Sequence, residues 1–340
     1  MRTIDWDSDA IVIIDQTCLP CAEVYLRLDT VPDLVDAIRR LAVRGAMALG
    51  VAGAMGVALA AQGAQAGEVD LDGAVRRAAD ALRQARPTAV NLAWGIDRAL
   101  SALPGGPNAI LAEALRVRDE DVTANKAIGE RGADFLAPLG RLTLLTHCNA
   151  GALAGVEWGT ALSVVHHLHQ RGLVEEVLVP ETRPLLQGAR LTAWELARAQ
   201  IPHRIIVDGA GAGLLLAGVV DAVVVGADRV AANGDTANKV GTVAHALAAH
   251  RAQVPFLVAA PESTVDADTP SGATIPIEER DPAEVLSWAG SSTSPVGSAA
   301  YNPAFDITPA DLITGLVTEH RVVRLAAGEH PITTSIVGSV

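Results

Sequence analysis

The sequence predicts an α/β protein whose helical N-terminal half carries a small antiparallel sheet and whose C-terminal half is built on a parallel sheet. Three observations predict it. From residue 31 to about 137, apolar residues recur at helical spacing, as in Leu34, Val35, Ile38 and Leu41. Beyond Pro138, short apolar runs alternate with helical patterns, the signature of a sheet covered on both faces. A chain of 340 residues that is 50% apolar can bury two cores, and the change of rhythm divides it into residues 1–137 and 138–340.

The elements follow in order. Ala10 to Asp15 and Glu23 to Leu28 are rich in strand formers, with Pro20 and two cysteines between them, so they read as an antiparallel pair. Pro87 and the Pro104-Gly105-Gly106-Pro107 cluster break the helical half. Strands are expected at Leu142 to Thr146, Val177 to Pro180, Arg204 to Val207, Asp221 to Gly226 and Pro255 to Ala259. Helices are expected between them, at Ala152 to Arg171, Leu191 to Ala199 and Ala237 to His250. The second half is therefore Rossmann-like in architecture. Ser291 to Ala300 reads as a Ser- and Gly-rich loop, Ala326 to Val340 has no clear period, and the last ten or so residues are expected to be disordered.

Composition narrows the function. A formal charge of −13 argues against a surface that neutralises nucleic-acid phosphates, although a few arginines and helix ends can still bind one small anion. Cys18, Cys21 and Cys148 lack the spacings of a disulfide framework or zinc site, which fits a reducing, cytoplasmic compartment. The acidic start from Met1 to Asp7 is unlike a signal peptide. Gly45 to Gly67 carries no charge and could span a membrane, but its Ala and Gly content with Gln62 and Gln65 suits a tightly packed interior helix better.

Open parallel sheets bind ligands beyond the carboxyl ends of their strands, and polar groups gather there. They are His147-Cys148-Asn149, Glu181-Thr182-Arg183, Asp208-Gly209 and Ala227-Asp228-Arg229. Cys148 precedes a small polar turn opening onto a helix, where a dipole would stabilise a thiolate; the plainer alternative is a buried structural cysteine. Asp228 at an apolar strand end can have a raised pKa and donate a proton, or it can simply pair with Arg229 or cap a helix. Arg44-Gly45-Ala46 heads the uncharged helix, and Arg86-Pro87-Thr88 places Pro87 at another helix's first turn. Both suit a phosphate, and either arginine could instead form a surface ion pair.

Gly209 to Gly213 lacks the spacing of a dinucleotide-binding loop. His166, His167 and His169 crowd one helix without a metal-ligand pattern and read as a solvated face, so no metal is expected. No Gly-x-Ser-x-Gly motif supports a serine hydrolase.

Six stretches together carry a specific resemblance: RGAMALG (44–50), RPTAVNLAW (86–94), LTHCNAGALA (145–154), ETRPLLQGARLTAWEL (181–196), GADRVAANGDTANKVGT (226–242) and IPIEERDPAEV (275–285). They resemble the methylthioribose-1-phosphate isomerases of methionine salvage. The wider superfamily includes ribose-1,5-bisphosphate isomerases and regulatory subunits of a translation-initiation exchange factor, so membership alone does not imply catalysis. The resemblance implies that Cys148 and Asp228 are catalytic. It implies that Arg44, Gly45, Ala46, Arg86, Gln187, Asn238 and Lys239 contact the sugar phosphate, without metal or organic cofactor, in a homodimer. Met47 stands where the family pattern has proline, and Ala150 where it has threonine.

A phosphate on C1 locks such a sugar as a closed acetal, so its ring must be opened with acid help. Protonated Asp228 is expected to donate to the ring oxygen while Cys148 handles the C2 proton, with a direct hydride shift as the competing route. Isomerases of 5-deoxyribose 1-phosphate or ribose 1,5-bisphosphate, and a non-catalytic subunit, are the alternatives.

Overall fold

The run Ala10-Ile-Val-Ile-Ile14 is apolar on both sides because it is a central strand rather than one of a pair. The structure, a computed structural model, describes residues 2–66, 70–87, 89–288 and 290–332. Strands β1 (Ile4–Asp7), β2 (Ala10–Ile14) and β3 (Tyr25–Leu28) form one antiparallel sheet in that order. The first was hidden in sequence because only Ile4 of Ile-Asp-Trp-Asp is buried.

Five helices follow: α1 (Val31–Arg39), α2 (Ala46–Ala66), α3 (Leu71–Ala85), α4 (Val90–Ser101) and α5 (Pro107–Leu136). Thr30 and Asp33 start α1 with a reciprocal capping box. The centre is α2, which packs against α3, α4 and α5. Its small residues permit this approach: a Cβ on Gly95 of α4 would lie 1.9 Å from the Gly50 carbonyl oxygen of α2. The helix is long and apolar enough to cross a membrane, yet most of it is buried inside the fold.

The second half contains β4 (Leu142–Leu145), α6 (Ala161–Gln170), β5 (Val174–Pro180), α7 (Ala193–Arg198), β6 (His203–Ile206), α8 (Ala210–Leu216) and β7 (Ala222–Val225). It continues through β8 (Arg229–Ala231), β9 (Thr236–Lys239), α9 (Thr242–Ala252), β10 (Phe256–Ala259), β11 (Val265–Asp266) and α10 (Ala283–Leu286). A small hairpin, β12 (Ser287–Trp288) and β13 (Ser291–Ser292), precedes β14 (Phe305–Thr308), β15 (Gly315–Val317) and β16 (Val322–Val323). The main sheet has the order β16-β15-β10-β7-β4-β5-β6 and is parallel except for β16. From β4 the chain winds to β5 and β6 on one side, then returns to β7, β10 and β15 on the other. The order therefore reverses between β4 and β7.

Several boundaries differ from expectation. The helix expected at Ala152 to Arg171 is a 3-10 turn, Ala152–Ala154, followed by α6 from Ala161. Residues 236–239 form β9 because they pair with β8 and β14, which outweighs the helical character of the Ala237 to His250 run. The stretch Leu191 to Ala199 opens with a π-turn, Gly188–Thr192, before α7. Pro87 lies between α3 and α4 rather than in a first turn, and Thr88 lies outside the described residues. The expectation of a disordered end falls mostly on residues 333–340, also outside them.

Candidate active site

Cys148 lies just past β4 and Asp228 just past β7, so the two straddle the point where strand order reverses. A crevice necessarily opens there, because the connections leave the sheet in opposite directions. A part-enclosed pocket lies there. Glu181, Thr182, Arg183, Asp208, Gly209 and Arg229, also at strand ends, do not line it, whereas Arg44, Gly45, Ala46, Arg86, Cys148, Gln187, Asp228, Asn238 and Lys239 all do.

Local backbone requirements put them there. Gly45 has φ +96°, and a Cβ on it would lie 2.5 Å from the Ala154 Cα; only glycine lets the head of α2 close on the Cys148 segment. Cys148 itself has φ +59°. Its N–H donates to Thr182 Oγ1 at 2.9 Å, and its carbonyl accepts from Thr192 Oγ1 at 2.6 Å. The Arg44 guanidinium donates to the side-chain oxygen of Asn149, to the Asn149 carbonyl at 3.3 Å and to Gln16 Oε1 at 3.2 Å. Lys239 donates to the Ala304 carbonyl at 2.7 Å, and Asn238 donates to Thr242 Oγ1 at 3.1 Å.

Four residues lining the cavity carry a buried polar atom with no hydrogen-bond partner among the described residues: Arg86 Nε, a donor; Gln187 Oε1, an acceptor; His147 Nδ1; and Thr160 Oγ1. Leaving such groups unpaired is costly, so a donor and an acceptor facing the same cavity mark where a ligand's anionic and hydroxyl groups belong.

Burial dominates the electrostatics. It pushes the Asp228 carboxyl above the usual carboxylate range, opposed by Lys239, Arg86 and Arg44. It pushes the Cys148 thiol up too, opposed by Arg44, Lys239 and the Asn149 N–H. The Lys239 ammonium and Arg86 guanidinium are pushed down by burial, with Cys148 and Asp228 opposing at Lys239 and Glu278 and Asp228 at Arg86. The thiolate-stabilising groups are thus two cations and one amide. The continuous helix expected after Cys148 is absent, and of α6 it is the N-cap residue Thr160 that lines the cavity.

Other readings change as well. Asp228 does not pair with Arg229, which faces Asp266 at 3.4 Å. The histidines of α6 are not a solvated face: His166 and His167 are half-buried and pack on Trp158, and burial lowers His166 to about 4. Among lining residues, His147 and Arg280 were not singled out as site residues. Arg280 was obscured by the carboxylates of its own segment, and it does pair with Glu278 and Glu284. His147 Nε2 donates to the Val240 carbonyl at 2.8 Å, tying β4 to the turn after Lys239.

Comparison with known proteins adds the lineage. Residues 42–324 match the family described as the Initiation factor 2 subunit family. A protein of Nocardia farcinica named "Probable bifunctional methylthioribose-1-phosphate isomerase/methylthioribulose-1-phosphate dehydratase" is 53% identical over 97% of this chain, and the match spans 61% of that longer protein. Methylthioribose-1-phosphate isomerase of Anaeromyxobacter sp. strain K is 52% identical over 95% of this chain and 94% of its own length. A 5-deoxyribose 1-phosphate isomerase of Moorella thermoacetica is 46% identical over 94% of this chain and 93% of its own. Among solved structures, 5-methylthioribose 1-phosphate isomerase from Pyrococcus horikoshii is 40% identical, with TM-score 0.88 over 95% of this chain and 92% of that one. One named as translation initiation factor eIF-2B subunit delta, from A. fulgidus, is 41% identical, with TM-score 0.84 over 95% and 96%.

Proposed function

The chain belongs to the Initiation factor 2 subunit family, and within it we propose that it isomerises 5-methylthioribose 1-phosphate to 5-methylthioribulose 1-phosphate in methionine salvage. The carrying observation is that Cys148 and Asp228 line one cavity with the unpaired Arg86 Nε and Gln187 Oε1. Relatives of near-equal length bearing the isomerase name support the same reading.

Phosphate is held by Arg44, Arg86, Lys239 and the free N–H groups at the head of α2, while Gln187 and Asn238 take sugar hydroxyls. Asp228 in its protonated form gives its proton to the ring oxygen as that oxygen's bond to C1 breaks. Cys148 as thiolate then removes the C2 proton, leaving a double bond between C1 and C2. Return of that proton to C1 and loss of the C2 hydroxyl proton to Asp228 complete the ketose, and both side chains recover their starting forms. No atom is gained or lost.

The chain acts as a cytoplasmic homodimer, divided at 137/138 into a helical and a sheet domain that close on the substrate. Ile205 on β6, Val207 just after it, Leu216 on α8 and Leu247 on α9 are exposed although large and apolar. The edge strand β6 and these helices thus offer an apolar face to a second copy.

Replacing Cys148→Ala and Asp228→Asn separately tests these assignments. Each variant should keep the wild-type melting temperature within a few degrees and lose turnover. Near-normal rates in either would remove that residue from the chemistry.

A further inference from the structure

Behind the cavity wall, on the side away from the substrate space, lies a buried carboxylate that the chemistry above does not use. Glu195, on α7, is 7% exposed and is absent from the cavity lining. Its Oε1 accepts from Asn149 Nδ2 at 2.8 Å and Leu153 N at 3.2 Å; its Oε2 accepts from Ala152 N at 2.7 Å. All three neighbours are donors, so the site is matched to an ionised carboxylate, which only accepts.

The consequence runs through Asn149. Its amide nitrogen is claimed by Glu195 Oε1 and by Thr192 Oγ1 at 3.2 Å, and the Thr192 hydrogen is already given to the Cys148 carbonyl. The amide therefore cannot turn over, and its oxygen must face Arg44. Arg44 makes no ion pair among the described residues. Its anchors are neutral oxygens, on Asn149 and on Gln16, whose own amide is fixed by donating to the Leu153 carbonyl at 2.7 Å. The guanidinium is thereby oriented without being neutralised, and its charge stays available to an anion and to the Cys148 thiol. The Asn149 N–H, on the same anchored segment, also favours the thiolate.

We propose that Glu195 is a positioning residue for the isomerisation: by fixing the Asn149 amide it aims Arg44 at the cavity beside Cys148. This rests on the isomerase reading for its catalytic consequence, but the geometry on the thiol does not depend on which sugar phosphate is turned over.

The test is Glu195→Gln, nearly the same shape. A glutamine sets its N–H₂ against either the Ala152 N–H or the Leu153 and Asn149 donors; only the second frees the Asn149 amide to rotate and set its nitrogen against Arg44, so Asn149→Ala is measured beside it. The readout is the rate of Cys148 alkylation by iodoacetamide against pH, followed by peptide mass spectrometry so that Cys18 and Cys21 are scored separately. We expect the Cys148 midpoint to move up by at least half a pH unit in a variant that stays folded. We also expect kcat/KM to fall on the order of tenfold, as for loss of a hydrogen bond to a charged group. Asn149→Ala, which leaves Glu195 its two backbone donors, should give the same upward shift, and it decides the matter if Glu195→Gln does not fold or sets its N–H₂ against Ala152. An unchanged alkylation midpoint in folded Asn149→Ala would overturn the proposal, leaving Glu195 a purely structural anchor. Failure of the wild type to turn over methylthioribose 1-phosphate would instead count against the isomerase reading and leave the thiol measurement standing.

Discussion

The Cys148 N–H donates to Thr182 Oγ1 at 2.9 Å, and Thr182 passes its own hydrogen to the Pro180 carbonyl at 3.0 Å. A cysteine in the left-handed region, at φ +59°, is thereby tied to the end of β5. Left-handed backbone at a non-glycine residue costs about 1–3 kcal/mol and persists only when the surroundings enforce it. Thr182→Val keeps the shape and removes the acceptor. We expect a drop in stability of about 1–3 kcal/mol, as for an unsatisfied buried N–H. Steady-state kinetics should show a larger loss in kcat than rise in KM, because the thiol is displaced while the cations stay.

Gly45→Ala probes the other wall. The positive φ and the 2.5 Å approach to Ala154 leave no room for a methyl group, so α2 must shift away from the Cys148 segment. Calorimetry with a sugar 1-phosphate should show affinity at least tenfold weaker, since both Arg44 and the helix head move. Unaltered affinity would mean that the anion binds elsewhere.

This dependence shows how far the sequence was readable. The strands that carry Cys148 and Asp228 announce themselves as apolar runs, because a sheet covered on both faces tolerates little else. The Arg44-Gly45-Ala46 head is legible from the abrupt start of an uncharged helix. What could not be read locally was set by distant partners. Residues 236–239 are a strand only because β8 and β14 lie beside them. Gly315 to Val317 and Val322 to Val323 are too short to signal strands, yet they complete the main sheet. The roles of His147 and Glu195 depend on neighbours far along the chain, whereas Arg280 is masked by its local partners Glu278 and Glu284.

Two neutral histidines meet at the cavity wall, His147 lining the cavity and His245 behind it. Burial lowers His147 to about 4 and His245 to about 3, and their rings meet edge to face at 5.0 Å. Lys239 faces His147, while Asp208 acts on His245. Both folded values lie below that of an unfolded histidine, about 6.5, so the unfolded chain binds more protons between those limits. Stability is therefore fully present above about pH 6.5 and is lost as pH falls toward 4, by an amount on the order of 3 kcal/mol for His147. Both His245 ring nitrogens lack a hydrogen-bond partner among the described residues. His245→Phe should thus cost little at pH 7.5 and flatten the acid-side slope, read from urea midpoints at pH 5 and 7.5. An unchanged slope would mean that His245 is not buried neutral.

The catalytic pair sets a second pH dependence. On the proposed route, activity requires Asp228 protonated and Cys148 ionised, two groups whose charges oppose each other across one cavity. The profile of kcat/KM should be a bell whose limbs belong to the coupled pair rather than to either residue alone. In deuterium oxide, passage of the C2 proton through Cys148 places solvent deuterium on C1 of the ketose. Complete retention of the C2 hydrogen at C1 would replace the proton route by a hydride shift.

The most direct measurement is a phosphorus NMR time course of the purified protein with methylthioribose 1-phosphate in EDTA, beside parallel samples of 5-deoxyribose 1-phosphate and ribose 1,5-bisphosphate. A cavity that binds one phosphate and acts through Cys148 and Asp228 should convert the first to its ketose 1-phosphate at the highest kcat/KM, with EDTA present. Conversion of ribose 1,5-bisphosphate alone, or of none of the three, would contradict it.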